Sequence, residues 1–391
     1  MRKYKLLYLI ILIIFMPFSV HGEEQTLTIL YTGSLKGELE TCGCSPKTDF
    51  GGLARLSGYI SEHAEELSPY ILIDAGNFTP KDTPQGRLKT EAMLRSFSKM
   101  KYDAVAFGEN EKVFPRNYLY PLVKENKTPV LCAASEKRRS LSITRSDIKL
   151  NIGVDPAARH EGNLNLLLSD KPVSEAKLIN GWDVIITSSG EELEEPLENN
   201  ETIIAAGYPK GKNLGILKLR IGINGKVMGH DHRWQPLGKE IKEDPLVRDI
   251  LNDYDSKVAR LLREAERPLA GATYSGVKKC AECHQPFEES WKDTRHAGAF
   301  QTLEKAGKSS DPECIKCHSV GFGEKGGFYS IETTPDLANV QCEECHGLDR
   351  GHLDDFSKPM RPVTEKVCLK CHTEEHSPDF DYPVYLEKIK H

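Results

Sequence analysis

The chain has 391 residues, 39% of them hydrophobic and 28% charged, with a formal net charge of −6 and a negative mean hydropathy. That length exceeds what one ordinary core fills, so two domains are expected, and the composition leaves no room for a membrane bundle. No basic stripe interrupts the acidic balance, which argues against nucleic acid as a partner.

Arg2, Lys3 and Lys5 precede an apolar stretch from Leu6 to Val20 that is short for a membrane span, and Val20-His21-Gly22 offers small residues for cleavage. A signal peptide over residues 1–22 is expected, with an exported, periplasmic product. An uncleaved signal segment is the one membrane attachment foreseen. No cysteine lies near the cut, so a lipid-modified N-terminus is not supported.

Residues 23–240 alternate short apolar runs with helical stretches. Leu27–Tyr31, Tyr70–Asp74, Ala104–Phe107, Pro129–Cys132 and Asp183–Thr187 read as buried strands. Leu53, Leu56, Ile60 and Leu67 recur at helical spacing, as do Met93, Leu94, Phe97 and Met100. This order predicts an α/β sheet with helices on its faces. Ile203–Gly207, Leu214–Ile223 and Lys226–Trp234 suggest antiparallel strands, with Asn224-Gly225 as a hairpin turn. His230 and His232 share one strand face without accompanying carboxylates, and are read as solvated.

Ile29-Leu-Tyr-Thr-Gly-Ser-Leu-Lys-Gly37, Gly51-Gly-Leu-Ala-Arg-Leu56, Ile73-Asp-Ala-Gly-Asn77 and Tyr102-Asp-Ala-Val-Ala-Phe-Gly-Glu-Asn-Glu111 carry a resemblance. Asp183-Val-Ile-Ile and Ala206-Gly-Tyr-Pro-Lys-Gly-Lys-Asn-Leu-Gly-Ile-Leu-Lys-Leu219 continue it. They are similar to the 5′-nucleotidase/UDP-sugar hydrolase branch of the calcineurin-like metallophosphoesterases. The family's two-metal site uses Asp-x-His, Asp, Asn-His and His-x-His boxes. Here those positions hold Ser34 and Lys36, Asn77, Glu109-Asn110-Glu111 and Ser188-Ser-Gly-Glu191. Hard ligands that could activate water on a phosphoryl group are gone, and Lys36 would repel a cation. A phosphoesterase-like sandwich without hydrolytic activity is expected. Cys42, Cys44 and Cys132 fall in loops or strand ends facing the crevice. They read either as a converging thiol site or as a surface pair and a buried apolar residue.

Residues 241–269 read as a linker helix. Leu246, Val247, Ile250, Leu251, Tyr254, Val258, Leu261 and Leu262 form one stripe behind an Asp244 N-cap, and Arg267-Pro268 releases the chain.

Residues 270–391 repeat one pattern four times: Cys280-Ala-Glu-Cys283-His284, Cys314-Ile-Lys-Cys317-His318, Cys342-Glu-Glu-Cys345-His346 and Cys368-Leu-Lys-Cys371-His372. Two thiols three positions apart reach the two vinyl groups of one haem, and the next histidine binds its iron. Zinc knuckles or CxxC disulfides would leave the four histidines unexplained. Four covalent haem c groups are therefore expected in a mainly α or irregular domain, close enough together to pass electrons. Met360 is the one methionine of this region, whereas His296, His352, His376 and His391 remain as sixth ligands.

Ser290-Trp291-x-x-Thr-Arg-His296-Ala297, Val340-x-Cys-Glu-x-Cys-His-Gly347 with His352, and His376-Ser-Pro-Asp-Phe380 through His391 resemble the tetrahaem cytochromes of ammonia oxidisers that accept electrons from hydroxylamine oxidoreductase. The likeness extends more loosely to multihaem nitrite reductases, but the chain lacks their CxxCK motif. The resemblance implies distal ligation by His296, His352 and His391, with one haem open. The expected function is electron transfer between redox donor and acceptor proteins. The alternative is reduction of a small oxyanion or nitrogen compound at a five-coordinate haem.

Overall fold

β-Branched and leucine-rich runs form twelve strands in the computed structural model, which describes residues 25–265, 274–348 and 351–391. The expected signal peptide and Arg267-Pro268 lie outside the described residues. In chain order the strands are β1 (Gln25–Thr32), β2 (Tyr70–Asp74), β3 (Ala104–Ala106), β4 (Val130–Leu131), β5 (Ser140–Arg145) and β6 (Ile148–Gly153). They continue with β7 (Leu164–Ser169), β8 (Val184–Thr187), β9 (Leu197–Asn199), β10 (Thr202–Ala206), β11 (Asn213–Ile221) and β12 (Val227–Pro236).

Two six-stranded sheets result, ordered β12-β11-β1-β2-β3-β4 and β5-β6-β7-β8-β10-β9. Side-chain alternation decides which face of β1 meets which partner. Leu27, Ile29 and Tyr31 point between the sheets, against Leu150, Ile152, Leu166, Val184 and Ile186. Leu30, with Leu72 and Val105, points outward against helices Leu53–Glu62 and Pro84–Met100. The outer face of the second sheet buries Trp182, Ile185 and Ile204 with Val173 and Ala176.

β11 and β12 are antiparallel across the Asn224-Gly225 turn, as expected. β10 departs from expectation. It pairs parallel with β8 and is antiparallel only to the short β9. His232 also departs: its side chain is 1% exposed, bonds the Tyr31 hydroxyl at 3.0 Å, and packs edge-on to Trp234. The aromatic neighbours on β1 and β12 fill the space that would have let water reach its ring.

Helix Pro245–Glu264 begins where Asp244 accepts the Leu246 amide at 2.8 Å, with proline in its first turn. It buries Val247, Ile250, Leu251, Tyr254 and Val258 against the outer helices of the first sheet. Leu246, counted in the apolar stripe, is exposed, while Leu262 packs on the next domain.

That domain contains helices Gly276–Lys292, Ala299–Ala306, Pro312–His318, Cys342–His346, Glu365–Cys368 and Tyr382–Glu387. Its apolar cluster is small: Phe300, Leu303, Ile315, Val320, Phe328, Leu337 and Ala338. None of residues 351–391 is buried by protein atoms.

Charged pairs seam the two halves. Lys308 contacts Glu40 at 2.6 Å and Asp255 at 2.8 Å, Lys89 contacts Glu313 at 2.7 Å, and Lys210 pairs with Glu375. Gln85 joins Asp311 at 2.9 Å, and the Tyr329 hydroxyl donates to the Leu262 carbonyl at 2.7 Å. Burial pushes the Glu40 carboxyl upward, but Lys308 and Arg248 outweigh it and hold the group below its usual range.

Lys308→Ala would leave Glu40 and Asp255 facing each other. We expect a loss of roughly 2–3 kcal/mol in urea unfolding, below the ~3–5 of a fully buried broken pair because these groups are partly exposed. The depressed Glu40 value gives the sign of the pH effect. Its contribution is complete above an ordinary glutamate pKa of about 4.3 and fades as pH falls through the lower folded value. A wild-type acid-unfolding curve that Lys308→Ala leaves unshifted would count against this seam.

Candidate functional site

The crevice at the carboxyl ends of β1, β2, β3 and β8 is where the resemblance places metal ligands. Gly33 and Gly207 let the two sheets touch there: a Cβ on Gly207 would lie 2.6 Å from the Gly33 backbone. Asn77 puts a neutral amide where the resemblance places the second-strand aspartate. Its Nδ2 donates to the Ser188 carbonyl at 2.9 Å and hydroxyl at 3.1 Å, and its Oδ1 accepts the Asn110 amide at 3.0 Å. Both ends of that side chain are consumed by protein. Buried Glu111 accepts the amides of Asn77, Thr79 and Gly108 at 2.7 to 3.0 Å and so ties the loops together. Ser34 is fully buried, Lys36 is exposed, and Glu109 is turned out to Lys112. Glu191 accepts the Val173 amide instead of facing a cation.

Asp74, just upstream, is a residue whose condition only packing reveals. Fully buried, it accepts Thr32 Oγ1 at 2.7 Å and the Gly76 amide at 2.8 Å; burial drives its pKa up to about 7.

Cys132 does not converge with Cys42 and Cys44. It is buried at the end of β4 with its sulfur 3.8 Å from the Tyr120 hydroxyl. Cys42 and Cys44 are paired as a disulfide and exposed, and their close neighbour is His376 of the other half.

The first three CxxCH motifs lie in helices, and the fourth starts at the last residue of helix Glu365–Cys368 and continues as a turn, so the two cysteines of each share one face. The first, Cys280 to His284, ends in a kink at His284, two residues before Pro286. The second follows an Asp311 N-cap, and the third ends at Gly347, whose φ is 78°. In the fourth, the His372 amide donates to the Cys368 carbonyl at 2.9 Å.

Tertiary bonds hold the motifs in place. Glu343, inside the third motif, accepts the amides of Ser275 and Gly276, and Gln341 accepts that of Val277 at 2.6 Å. The Trp291 indole donates to the Val340 carbonyl at 2.8 Å. Nothing in the sequence singles out Glu343 and Gln341, because a contact with a distant helix start leaves no local pattern. The thiols of Cys280 and Cys342 lie in hydrogen-bonding reach, as do those of Cys317 and Cys371. The first motif thus neighbours the third, and the second the fourth. In each pair one thiol bonds the other's sulfur; this lowers Cys342 and Cys317, the latter to about 7, and raises its partner.

Three histidines from outside the motifs face motif histidines. Ring centres are 6.2 Å apart for His284 and His352, 6.1 Å for His372 and His296, and 5.8 Å for His346 and His391. His318 makes no ring contact among the described residues. Its Nδ1 donates to the Ala299 carbonyl at 2.7 Å, which leaves Nε2 with its lone pair. His352 and His391 are fixed likewise by the carbonyls of Lys358 and Ile389. Burial lowers the pKa values of His296, His346 and His372, keeping them in the neutral form that binds metals. His376 is in none of the three pairs; its Nδ1 lies 2.8 Å from the Thr373 hydroxyl.

The protein family described as cytochrome c554 and c-prime matches residues 279–347, the span of the first three motifs. The C-terminal segment resembles cytochrome c554. Cytochrome c-554 of Nitrosomonas europaea is 38% identical over 112 residues, covering 25% of this chain and 48% of the relative. The chain thus spans about half the length of that curated relative. The sandwich is similar to the 5′-nucleotidase precursor of Thermus thermophilus, at TM-score 0.54 and 16% identity over 72% of this chain and 68% of that one. The NAD nucleotidase of Haemophilus influenzae follows at 0.53 and 16% over 65% and 64%. A cytochrome c554-like segment therefore sits on a 5′-nucleotidase fold. No helix among the described residues is long and apolar enough to cross a membrane.

Asp74 yields a test of the crevice. A carboxyl raised to about 7 keeps a proton that the unfolded chain releases near pH 4, so native stability declines as pH rises across that interval. Asp74→Asn, which cannot ionise, should flatten that slope in urea titrations at about pH 4.5 and about pH 7.5, on either side of most of that interval. An unchanged slope would reject the assignment.

Proposed function

We propose that the chain is an exported electron-transfer protein that binds four haem c groups covalently over residues 270–391. Residues 23–240 act as a non-hydrolytic docking module, and 241–269 join the two. The observation that carries the reading is the three imidazole pairs beside CxxCH turns. An imidazole nitrogen lies about 2 Å from a bound metal, so two rings on opposite faces of one ion have centres roughly 6 Å apart. The three measured separations fall at that value.

Cys280 and Cys283, Cys314 and Cys317, Cys342 and Cys345, and Cys368 and Cys371 would hold the porphyrins through thioethers. His284, His318, His346 and His372 would be proximal ligands, and His352, His391 and His296 the distal ligands of the first, third and fourth groups. Bound haem supplies one-electron chemistry at a potential set by its axial ligands. The chain's own part is to hold the imidazoles neutral and oriented, and to bring first against third and second against fourth motif. The lack of protein-buried residues beyond 350 supports a core completed by macrocycles.

His318, without a facing ring among the described residues, favours a second reading in which one haem takes a small ligand and reduces it. Redox proteins are the partners in either case. The neutral Asn77 network argues against a phosphoesterase, because the side chain at the second-strand ligand position is saturated by protein donors and acceptors.

The haemochrome assay and intact mass should show four haems per chain, and low-temperature EPR three low-spin centres and one high-spin. Carbon monoxide should bind the ferrous protein at one haem in four. His296→Ala, His352→Ala and His391→Ala should each add one reactive haem, and His376→Ala none. A colourless product with no added mass would reject the whole reading, whereas four low-spin unreactive haems would reject only the open site. Nucleotide hydrolysis with added manganese or zinc should stay at background.

A further inference from the structure

Eight of the eleven cysteines lie in the CxxCH motifs and Cys132 is buried, which leaves Cys42 and Cys44 as the exposed pair outside those motifs. They sit on the loop that leaves β1. A ring nitrogen of His376 and both sulfurs lie within 4.8 Å of one another, and no other group of three or more such side chains gathers this closely among the described residues. The three groups come from opposite halves of the molecule. Lys47 to Asp379 at 2.6 Å and Lys210 to Glu375 hold those halves together on either side of them.

We infer that Cys42, Cys44 and His376, once the cysteine pair is reduced, form a binding site for copper(I) at the junction between the sandwich and the cytochrome segment. Thiolates are soft ligands that select copper(I) or zinc from the divalent and monovalent ions available to an N/S site. The number of donors favours copper(I), which three ligands satisfy. Zinc takes four and would have to fill its shell with water here, because the adjacent carboxylate of Glu375 is already engaged by Lys210. Two soft thiolates and one imidazole suit a trigonal copper(I).

The cysteine pair is oxidised in this structure. A dithiol reductant delivers two electrons and two protons to the Cys42–Cys44 bond, becomes a disulfide itself, and leaves two thiols. Both thiols then release their protons as the sulfurs bind the ion. The site is thereby open to metal only in its reduced state. Both cysteines are exposed, so a metal carrier can reach them without opening the fold.

The inference stands apart from the haem reading, because His376 lies outside all three imidazole pairs. The full-length, haem-loaded protein is reduced with a dithiol without air, exposed to copper(I), and desalted through a copper(I) chelator. Metal analysis should find one copper per chain, with X-ray absorption showing sulfur and nitrogen neighbours. Cys42→Ser with Cys44→Ser should abolish retention. His376→Ala should weaken it by at least the ~10–100-fold that loss of an outer-shell partner costs, with haem content and spin state unchanged. Copper retention equal in wild type and the double-serine variant would overturn the site. So would zinc displacing copper from the reduced protein, or a haem turning high-spin in His376→Ala, which would make that residue a haem ligand. A colourless protein that still binds copper through these residues would reject the haem reading and leave this one standing.

Discussion

The cytochrome segment is short of apolar side chains, and that shortage governs the rest of the architecture. Its apolar cluster, around Phe300, Ile315 and Phe328, is confined to the stretch between the first and third motifs. Past residue 350 the chain has helical turns and hydrogen bonds but no residue that protein alone buries. Backbone ordering costs about 1–2 kcal/mol per residue, so such a stretch needs another source of burial. Macrocycles tethered to the motif cysteines are the source we propose. The sandwich has the opposite character. Three separate apolar layers, one between the sheets and one on each outer face, make it self-sufficient.

Joining a self-sufficient domain to a dependent one gives the contact its polar chemistry. Lys308, Lys89 and Lys210 each bridge to carboxylates across the boundary, and helix Pro245–Glu264 presents its apolar stripe to the sandwich while Leu262 reaches the other side. The loop between β1 and helix Leu53–Glu62 lies along this seam. Glu40 and Lys47 on that loop bind the cytochrome segment, and Asn77, Ser188 and Asn110 close the crevice behind it with neutral bonds. The frame of the sandwich is retained, while its loop charges are spent on the neighbouring segment.

What can be read from residues alone follows the range of the physical signal. The CxxCH turns are local, and so are legible, as are β1, β2 and β11, whose runs are apolar, and β12, which the Asn224-Gly225 turn announces. β6 and β7 are absent from the expected strands although Ile148–Gly153 is apolar at alternate positions and Leu164–Ser169 is a buried apolar run, so their signal is present in the residues; β5 is absent for a physical reason. Ser140–Arg145 is half exposed and polar at alternate positions, so it carries little hydrophobic contrast. The apolar run of β10 marks a strand but does not say whether a neighbour runs parallel or antiparallel; the pairing with β8 depends on the chain crossing between them. His232 reads as solvated because Tyr31, the residue that covers it, is 201 positions away. The same limit hides the pairing of His284 with His352 and the meeting of the Cys42 loop with His376. In each case the residues can be nominated from sequence but their companions cannot.

The ring pairs cross one another along the polypeptide: 284 with 352, 346 with 391, and 372 with 296. A chain threaded through a membrane from its first residue would deliver His296 long before its companion, and His391 last of all. No early part of the cytochrome segment could be finished and set aside while later parts were still emerging. Maturation of such a polypeptide would be a single closing event, timed by arrival of His391, and porphyrins tethered before then would wait with one face uncovered.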